Sequence, residues 1–396
     1  VSASPLTLLR RNAALLMMSF INAGVTTLLP QRYFARTVPG TKQFWLSTTL
    51  LLGTLGAIVG VSLARRVRVR PPGGLLTLLL VAVLLLWAGT RVEILALYVA
   101  LHVAVRGMSN FTTQELDERA ALVAGEADRT ANDRIGTLLR FAGMLLGPLC
   151  FGLVPSEGWP FTIELLVLTG LAMLSSRELR VAAAPPPPPK VTSPLAFHDR
   201  LLVLSGAAIY GTYYLLGSNM FYVLTDLHHL PNATARAGVL ITTVFGGAVL
   251  TTIASGLLRR GAFGLRWMLF APSCMALASL GLHTPLATSM PVAVGVSLLL
   301  GAGLSFFLLA FRNYASRAAQ AGAEQWLAVF NNLGNTSALL GYGVMALMAG
   351  VARWSGLADG TLLVAGLIGL SAMGFVLAVF AGRGPASVPV QAELAR

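Results

Sequence analysis

The chain has 396 residues, of which 56% are hydrophobic and only 11% charged. Soluble domains carry about a quarter charged residues, so a chain this apolar cannot cover a water-facing surface, and a soluble globular fold is excluded. A net charge of +13 on a soluble protein would suggest nucleic acid; here it fits cations gathered in cytoplasmic loops, and no nucleic-acid partner is expected.

Long apolar runs, such as Leu75 to Ala88 and Thr361 to Ala381, recur along the whole sequence. A bilayer core of about 30 Å is crossed by about 20 apolar residues of helix. Short polar breaks between the runs favour helices over barrel strands, because a helix satisfies its own backbone. Reading runs between charged or Pro/Gly breaks predicts first-half spans at Asn12–Arg32, Phe44–Ala64, Gly74–Thr90, Glu93–Thr113, Asp133–Pro155 and Phe161–Ser176. The second-half spans are Leu201–Tyr222, Ala237–Leu258, Leu265–His283, Met290–Phe311, Gln325–Val351 and Asp359–Phe380. The run from Asn12 is too long for the apolar core of a signal peptide, and no cleavable leader is expected. Cys150 and Cys274 fall inside apolar runs and read as packing residues; no metal-ligand spacing is present, and no cofactor is expected.

Placing the N-terminus in the cytoplasm puts twenty Lys and Arg in inside loops and six in outside loops, with Arg106 and Arg140 left inside spans. That asymmetry supports an even number of spans with both termini cytoplasmic. The longest break, residues 177–200, holds Pro185–Pro189, and polyproline favours an extended spacer over a helix. The domain reading is therefore a six-helix bundle at 1–176, a cytoplasmic Pro-rich linker at 177–200, and a second six-helix bundle at 201–396.

An internal repeat supports two halves. Leu63-Ala64-Arg65-Arg66 matches Leu257-Leu258-Arg259-Arg260, an offset of 194 residues. The same offset brings Thr48 and Thr49 onto Thr242 and Thr243, Gly53 onto Gly247, Gly107 onto Gly301, and Leu145-Leu146-Gly147 onto Leu339-Leu340-Gly341. Six spans per half is an even number, so the repeats run parallel about an axis along the membrane normal.

Two parallel six-helix repeats joined by a cytoplasmic linker resemble the major facilitator superfamily. The resemblance covers nearly the whole chain. It implies an all-α membrane protein of about twelve transmembrane helices in two pseudo-symmetric bundles. The loop Gly60-Val61-Ser62-Leu63-Ala64-Arg65-Arg66-Val67-Arg68 resembles the family's G-x-x-x-D-R-x-G-R signature. Gly60, Arg65 and Arg68 fit; Ala64 stands where the family has Asp, so the gating contact of that Asp is not carried over. Arg65 is assigned to gating, with topology anchoring as the alternative. The fifth span carries Gly143-Met144-Leu145-Leu146-Gly147-Pro148-Leu149-Cys150-Phe151-Gly152, similar to a G-x-x-x-G-P-x-x-G-G motif of antiporters, with Phe151 replacing one glycine. Glycines permit close helix approach and Pro148 removes a backbone bond, so Gly143, Gly147 and Pro148 are assigned to gating and helix packing. An ordinary packing seam is the alternative.

Polar groups deep in lipid are expensive and usually face a cavity. On the fourth span Tyr98, His102, Arg106, Asn110 and Gln114 recur every four residues along one drifting stripe. In the superfamily's architecture the first, fourth, seventh and tenth spans line the central cavity. Arg106 is the leading substrate contact, since its forked donors suit a carboxylate or phosphate; snorkelling to headgroups is the alternative. Arg140 on the fifth span either adds to that positive site or pairs structurally with an acid. Their repeat positions are Leu300 and Gly334, so neither cation has a counterpart in the second half. The first span contributes Ser19, Asn22 and Thr26, the seventh Tyr210, Tyr213, Tyr214 and Asn219, and the eleventh Asn331, Asn332 and Asn335. The expected substrate contacts are Asn22, Tyr98, Arg106, Asn110, Arg140, Tyr210, Tyr214, Asn331 and Asn335, which would stack on and hydrogen-bond an amphipathic molecule. Interhelical hydrogen bonding is the alternative for each polar one. The cavity helices carry no acid at mid-span, and Glu115 is placed at the cytoplasmic edge. His102 is therefore the expected proton-coupling group, with a structural histidine as the alternative. His228-His229 reads as a solvated outer-loop pair.

No phosphate-cradling loop and no nucleophile–base set is present, so neither ATP-driven transport nor enzyme activity is expected. The resemblance implies a secondary active transporter in the inner (plasma) membrane, exporting a small anionic or zwitterionic amphiphile by alternating access with proton coupling. The expected partners are that small molecule and the lipid bilayer, and the expected state is a monomer. The rivals are an uptake symporter of the same fold and a non-transporting membrane receptor.

Overall fold

The computed structural model describes residues 5–38, 41–64, 72–89, 91–123, 125–153, 166, 170, 197–258, 266–320, 325–356 and 359–383. Among these residues every extended element is helical. Pro5–Thr37, Lys42–Ala64, Pro72–Gly89, Leu95–Val123 and Gly125–Leu153 fall on the first five predicted spans. Phe197–Tyr222, Ala233–Leu258, Arg266–His283, Met290–Gln320, Gln325–Ser355 and Asp359–Arg383 fall on the seventh to twelfth. The predicted sixth span lies outside the described residues apart from 166 and 170, as do Arg65 and the polyproline stretch.

Among the described residues six helices contain a stretch long and apolar enough to cross a membrane, and Leu79–Gly89, Leu139–Leu153 and Phe270–His283 are shorter apolar stretches. Their outward faces are hydrocarbon. On the eleventh span Leu347, Val351 and Trp354 form an exposed i, i+4, i+7 stripe, and Trp354 is 90% exposed. Such a stripe suits lipid, with the amphipathic indole at a helix end where interfacial aromatics belong. The fourth, fifth and tenth helices overrun their predicted spans, reaching Val123, starting at Gly125 and reaching Gln320. The apolar pattern ends there, but the backbone ladder continues through good helix formers such as Gln114, Glu115 and Leu116. Pro30, Pro148 and Pro272 all lie inside helices, as membrane helices tolerate.

The seventh span does not end at Tyr222. It continues through a π-helical turn, Val223–Leu227, in which the Thr225 hydroxyl donates to the Phe221 carbonyl. This carries His228 to a neighbouring helix, where its Nε2 lies 2.8 Å from the Leu282 carbonyl oxygen. The solvated reading of the histidine pair thus fits only His229, which is exposed and has φ +51°.

The chain forms two compact units: Val1–Pro189 with Thr234–Thr242, and Lys190–Ala233 with Thr243–Arg396. In the first, the first span packs on the fifth, and the fourth on the second and third. In the second, the seventh span packs on the eleventh and twelfth, and the tenth on the ninth. Two of these pairings recur six spans on: first with fifth as seventh with eleventh, and third with fourth as ninth with tenth. Glycine makes these contacts close. A Cβ added at Gly143 would run into the Leu16 carbonyl oxygen, and one at Gly60 into the Gly107 carbonyl oxygen. In the second unit a Cβ at Gly341 would stand 2.5 Å from the Gly211 carbonyl oxygen, and one at Gly301 would meet that of Val244. Within the first unit Gly238 approaches the Pro148 carbonyl in the same way, at 2.5 Å, and Thr242 Oγ1 donates to the Leu145 carbonyl at 3.0 Å.

Gly143→Ala is expected to destabilise the protein by about 1–3 kcal/mol, because backbone rather than a flexible side chain opposes the methyl group. Gly343→Ala, with nothing within 4 Å of the added carbon, is expected to leave stability unchanged or slightly raised. Thermal melting of the two detergent-purified variants checks the contrast.

Candidate functional site

The polar groups of the first unit converge where the first and fourth spans meet. Asn22 Oδ1 accepts a hydrogen bond from Ser109 Oγ at 2.6 Å and one from Arg106 Nη1 at 3.4 Å. Asn110 Nδ2 donates to the Arg106 carbonyl at 3.0 Å, one turn back along the same helix. Arg106, Asn22 and Asn110 are half-buried, whereas Ser109 is wholly buried. The structure therefore joins two of the sequence-predicted residues, Asn22 and Arg106, and adds Ser109, while Asn110 bonds the main chain of its own helix. The i, i+3 spacing from Arg106 puts Ser109 on nearly the same helical face, but the polar stripe was read at fours and passed over it.

The Arg106 guanidinium offers five N–H donors. Among the described residues its one hydrogen-bond partner is the neutral Asn22 oxygen, and no carboxylate is in ion-pair contact with it. One turn away His102 is wholly buried, and neither ring nitrogen has a protein hydrogen-bond partner. Room for the ring comes from the second span. A Cβ at Gly53 would lie 2.8 Å from His102 Cδ2, 2.9 Å from its Nε2 and 3.2 Å from Arg106 Cγ. Gly53 was legible only as a member of the repeat; its pairing with His102 is tertiary.

Tyr98 stands a further turn along. It is wholly buried, stacked on Tyr33 with ring centroids 3.7 Å apart and met edge-on by Phe34. Arg140 is half-buried on the fifth span, one turn beyond Gly136, which packs against Asn12 of the first span. Gly143, Gly147 and Pro148 are buried on the same helix. Glu115 of the fourth span is 0% exposed.

The second unit presents a different chemistry. Tyr210 and Tyr214 of the seventh span are half-buried, with centroids 5.0 Å apart. Tyr213, Phe307 and Tyr342 lie 5.6–6.0 Å from one or other of them, and Phe245 meets Tyr213 at 5.8 Å. Gly334 of the eleventh span opens onto this cluster, since a Cβ there would lie 3.6 Å from Tyr214 Oη and 3.9 Å from Tyr210 Cε1. Phe307 and Tyr342 were not singled out in the sequence because aromatic residues in apolar runs look like ordinary core. Asn335 is half-buried, and the side chain of Asn331 lies outside the described residues. Asn219 is buried, donating to the Leu215 carbonyl at 2.7 Å and facing Met345 Sδ at 3.0 Å. Cys274 is buried and Cys150 half-buried, neither in a disulfide, and among the described residues no three potential ligands gather for a metal ion.

No family model and no curated protein sequence matches the chain. Solved structures do match over nearly its full length. A bacterial homologue of the human lysosomal transporter Spinster, inward-facing and unoccupied, shares 16% identity, with 95% of each chain covered and a TM-score of 0.62. The nucleoside transporter NupG shares 11% identity over 95% of this chain and 98% of its own, with a TM-score of 0.67. A D-xylose–proton symporter shares 14% identity over 96% of this chain and 97% of its own, with a TM-score of 0.64. At such identities the likeness speaks to architecture alone, and the architecture is that of an all-helical, multi-pass membrane protein with the major facilitator fold.

Proposed function

We propose that the chain is a secondary active transporter that exports a small organic anion or zwitterion bearing apolar surface, by alternating access and with proton coupling. The observation that carries this reading is the guanidinium of Arg106, half-buried in a membrane helix and met among the described residues only by a neutral amide oxygen. A cation in that position is costly, and a carboxylate or phosphate arriving with the cargo supplies the missing charge through bidentate hydrogen bonds. Asn22 and Asn110 complete the polar contact, and Arg140 adds positive potential from the fifth span. The half-buried Tyr210 and Tyr214, with Asn331 and Asn335 on the eleventh span, suit the apolar and hydrogen-bonding remainder of such a molecule. His102 is the titratable group beside the cation and takes the coupling role. Export rests on the resemblance of Gly143–Gly152 to the antiporter motif, with Arg65 and the Gly/Pro helix acting in gating. The second reading is proton-coupled uptake, favoured by the shared fold with a D-xylose–proton symporter. The proposed setting is an energised plasma (inner) membrane with both termini in the cytoplasm, the halves being 1–176 and 201–396 and the linker 177–200.

Reconstitution into proteoliposomes on a solid-supported membrane tests the anion reading. Matched panels of carboxylate, phosphate, neutral and cationic amphiphiles are applied with and without an imposed pH gradient. Currents are expected from anionic or zwitterionic compounds. Arg106→Ala is expected to lower them at least tenfold, since a charge-assisted hydrogen bond contributes about 1.5–3 kcal/mol, and Arg106→Lys is expected to fall in between. A response confined to cations, or an unaffected Arg106→Ala protein, rejects the reading. Accumulation driven inward with the proton gradient rejects export and leaves uptake.

At the aromatic cluster Gly334→Ala is expected to keep transport, because its methyl group finds ordinary contact distances. Gly334→Leu is expected to lose it by driving into Tyr210 and Tyr214. Initial rates in the same proteoliposomes decide between them.

A further inference from the structure

The face of the second span that packs on the fourth is built of Thr49, Gly53, Gly56 and Gly60, spaced i, i+4, i+7 and i+11 along one side of the helix. Gly53 meets His102, Gly56 meets Val103 and Gly60 meets Gly107. The two helices thus run in the same direction with a fixed register. Thr49 lies one turn before Gly53, and Tyr98 lies one turn before His102, so this register sets Thr49 at the level of Tyr98.

Four polar atoms on this seam are buried without a protein hydrogen-bond partner: Thr49 Oγ1, Tyr98 Oη, and His102 Nδ1 and Nε2. All three residues are 0% exposed. The threonine is informative because its neighbours behave differently. Ser47 Oγ donates to the Gln43 carbonyl at 2.8 Å and Thr54 Oγ1 to the Leu50 carbonyl at 2.9 Å, the usual way a hydroxyl is satisfied inside a helix. Thr49 makes no such bond. The Tyr98 and His102 rings are neighbours, 6.4 Å apart between centroids, yet neither the phenol oxygen nor either imidazole nitrogen has a protein hydrogen-bond partner. Buried polar groups in proteins are almost always satisfied. A site with several convergent polar atoms, rather than an apolar void, is where internal water resides, typically making about three hydrogen bonds.

We propose that the seam between the second and fourth spans is a binding site for a short file of internal water, which hydrogen-bonds Thr49, Tyr98 and both ring nitrogens of His102 and hydrates the histidine from the Tyr98 side. The glycines of the second span bring the two backbones together on the far side of His102 and limit the file to the Thr49–Tyr98–His102 stretch. The proposal deepens the functional reading by giving the coupling histidine a solvent contact independent of cargo.

Millisecond X-ray radiolytic footprinting of the purified full chain tests it, since hydroxyl radicals formed from bound water mark the side chains beside them. Tyr98 and His102 are expected to be labelled several-fold faster than Met18 and Met275, corrected for intrinsic reactivity, although all four are 0% exposed. Thr49→Val is expected to lower labelling of His102 at least threefold, and Thr49→Ser to restore it; the serine variant keeps the comparison available if the valine variant does not fold. Labelling of Tyr98 and His102 no faster than that of the two methionines overturns the proposal. So does labelling of His102 that is indifferent to loss of the Thr49 hydroxyl. The measurement needs no cargo, so its failure is distinguishable from failure of the transport reading, and the Arg106 variants test the latter separately.

Discussion

A guanidinium cannot shed its proton, and hydrocarbon cannot solvate it. The first unit is organised around that constraint at Arg106. The first span supplies one acceptor, Asn22, whose oxygen is held by Ser109 so that it points at the cation. The second span contributes by having no side chain at Gly53, which leaves room for Arg106 and His102. The fourth span ties its own backbone at Arg106 through Asn110. Each helix places a small or polar residue where a larger apolar one would be cheaper for packing alone.

The two units repeat one packing plan and differ in what they display. At the positions of Arg106 and Arg140 in the first, the second has Leu300 and Gly334. Loss of the side chain at Gly334 is matched by the approach of Tyr210 and Tyr214. One scaffold therefore carries fixed charge and amide groups, and the other carries phenol and phenyl rings.

Much of this could be read in the chain. The periodic apolar runs gave the helices, the 194-residue offset gave the pseudo-symmetry, and the cost of charge in lipid singled out Arg106. What could not be read depended on tertiary register or on depth. The partnership of Gly53 with His102 exists only because two helices 49 residues apart lie side by side. Ser109 was missed because serine in an apolar run is commonplace, and its importance comes from the Asn22 oxygen opposite. The burial of Glu115 could not be read, because hydropathy marks where lipid ends and not what packs on a side chain. His228 was read as solvated because a π-helical turn, invisible in composition, redirects it onto Leu282.

The near-contact of peptide groups at Gly56 with Val103 and Gly60 with Gly107 has a mechanical meaning. With main chain set against main chain at these two positions, the helices are held as one stiff strut. A load on either helix at this seam is then shared by both main chains.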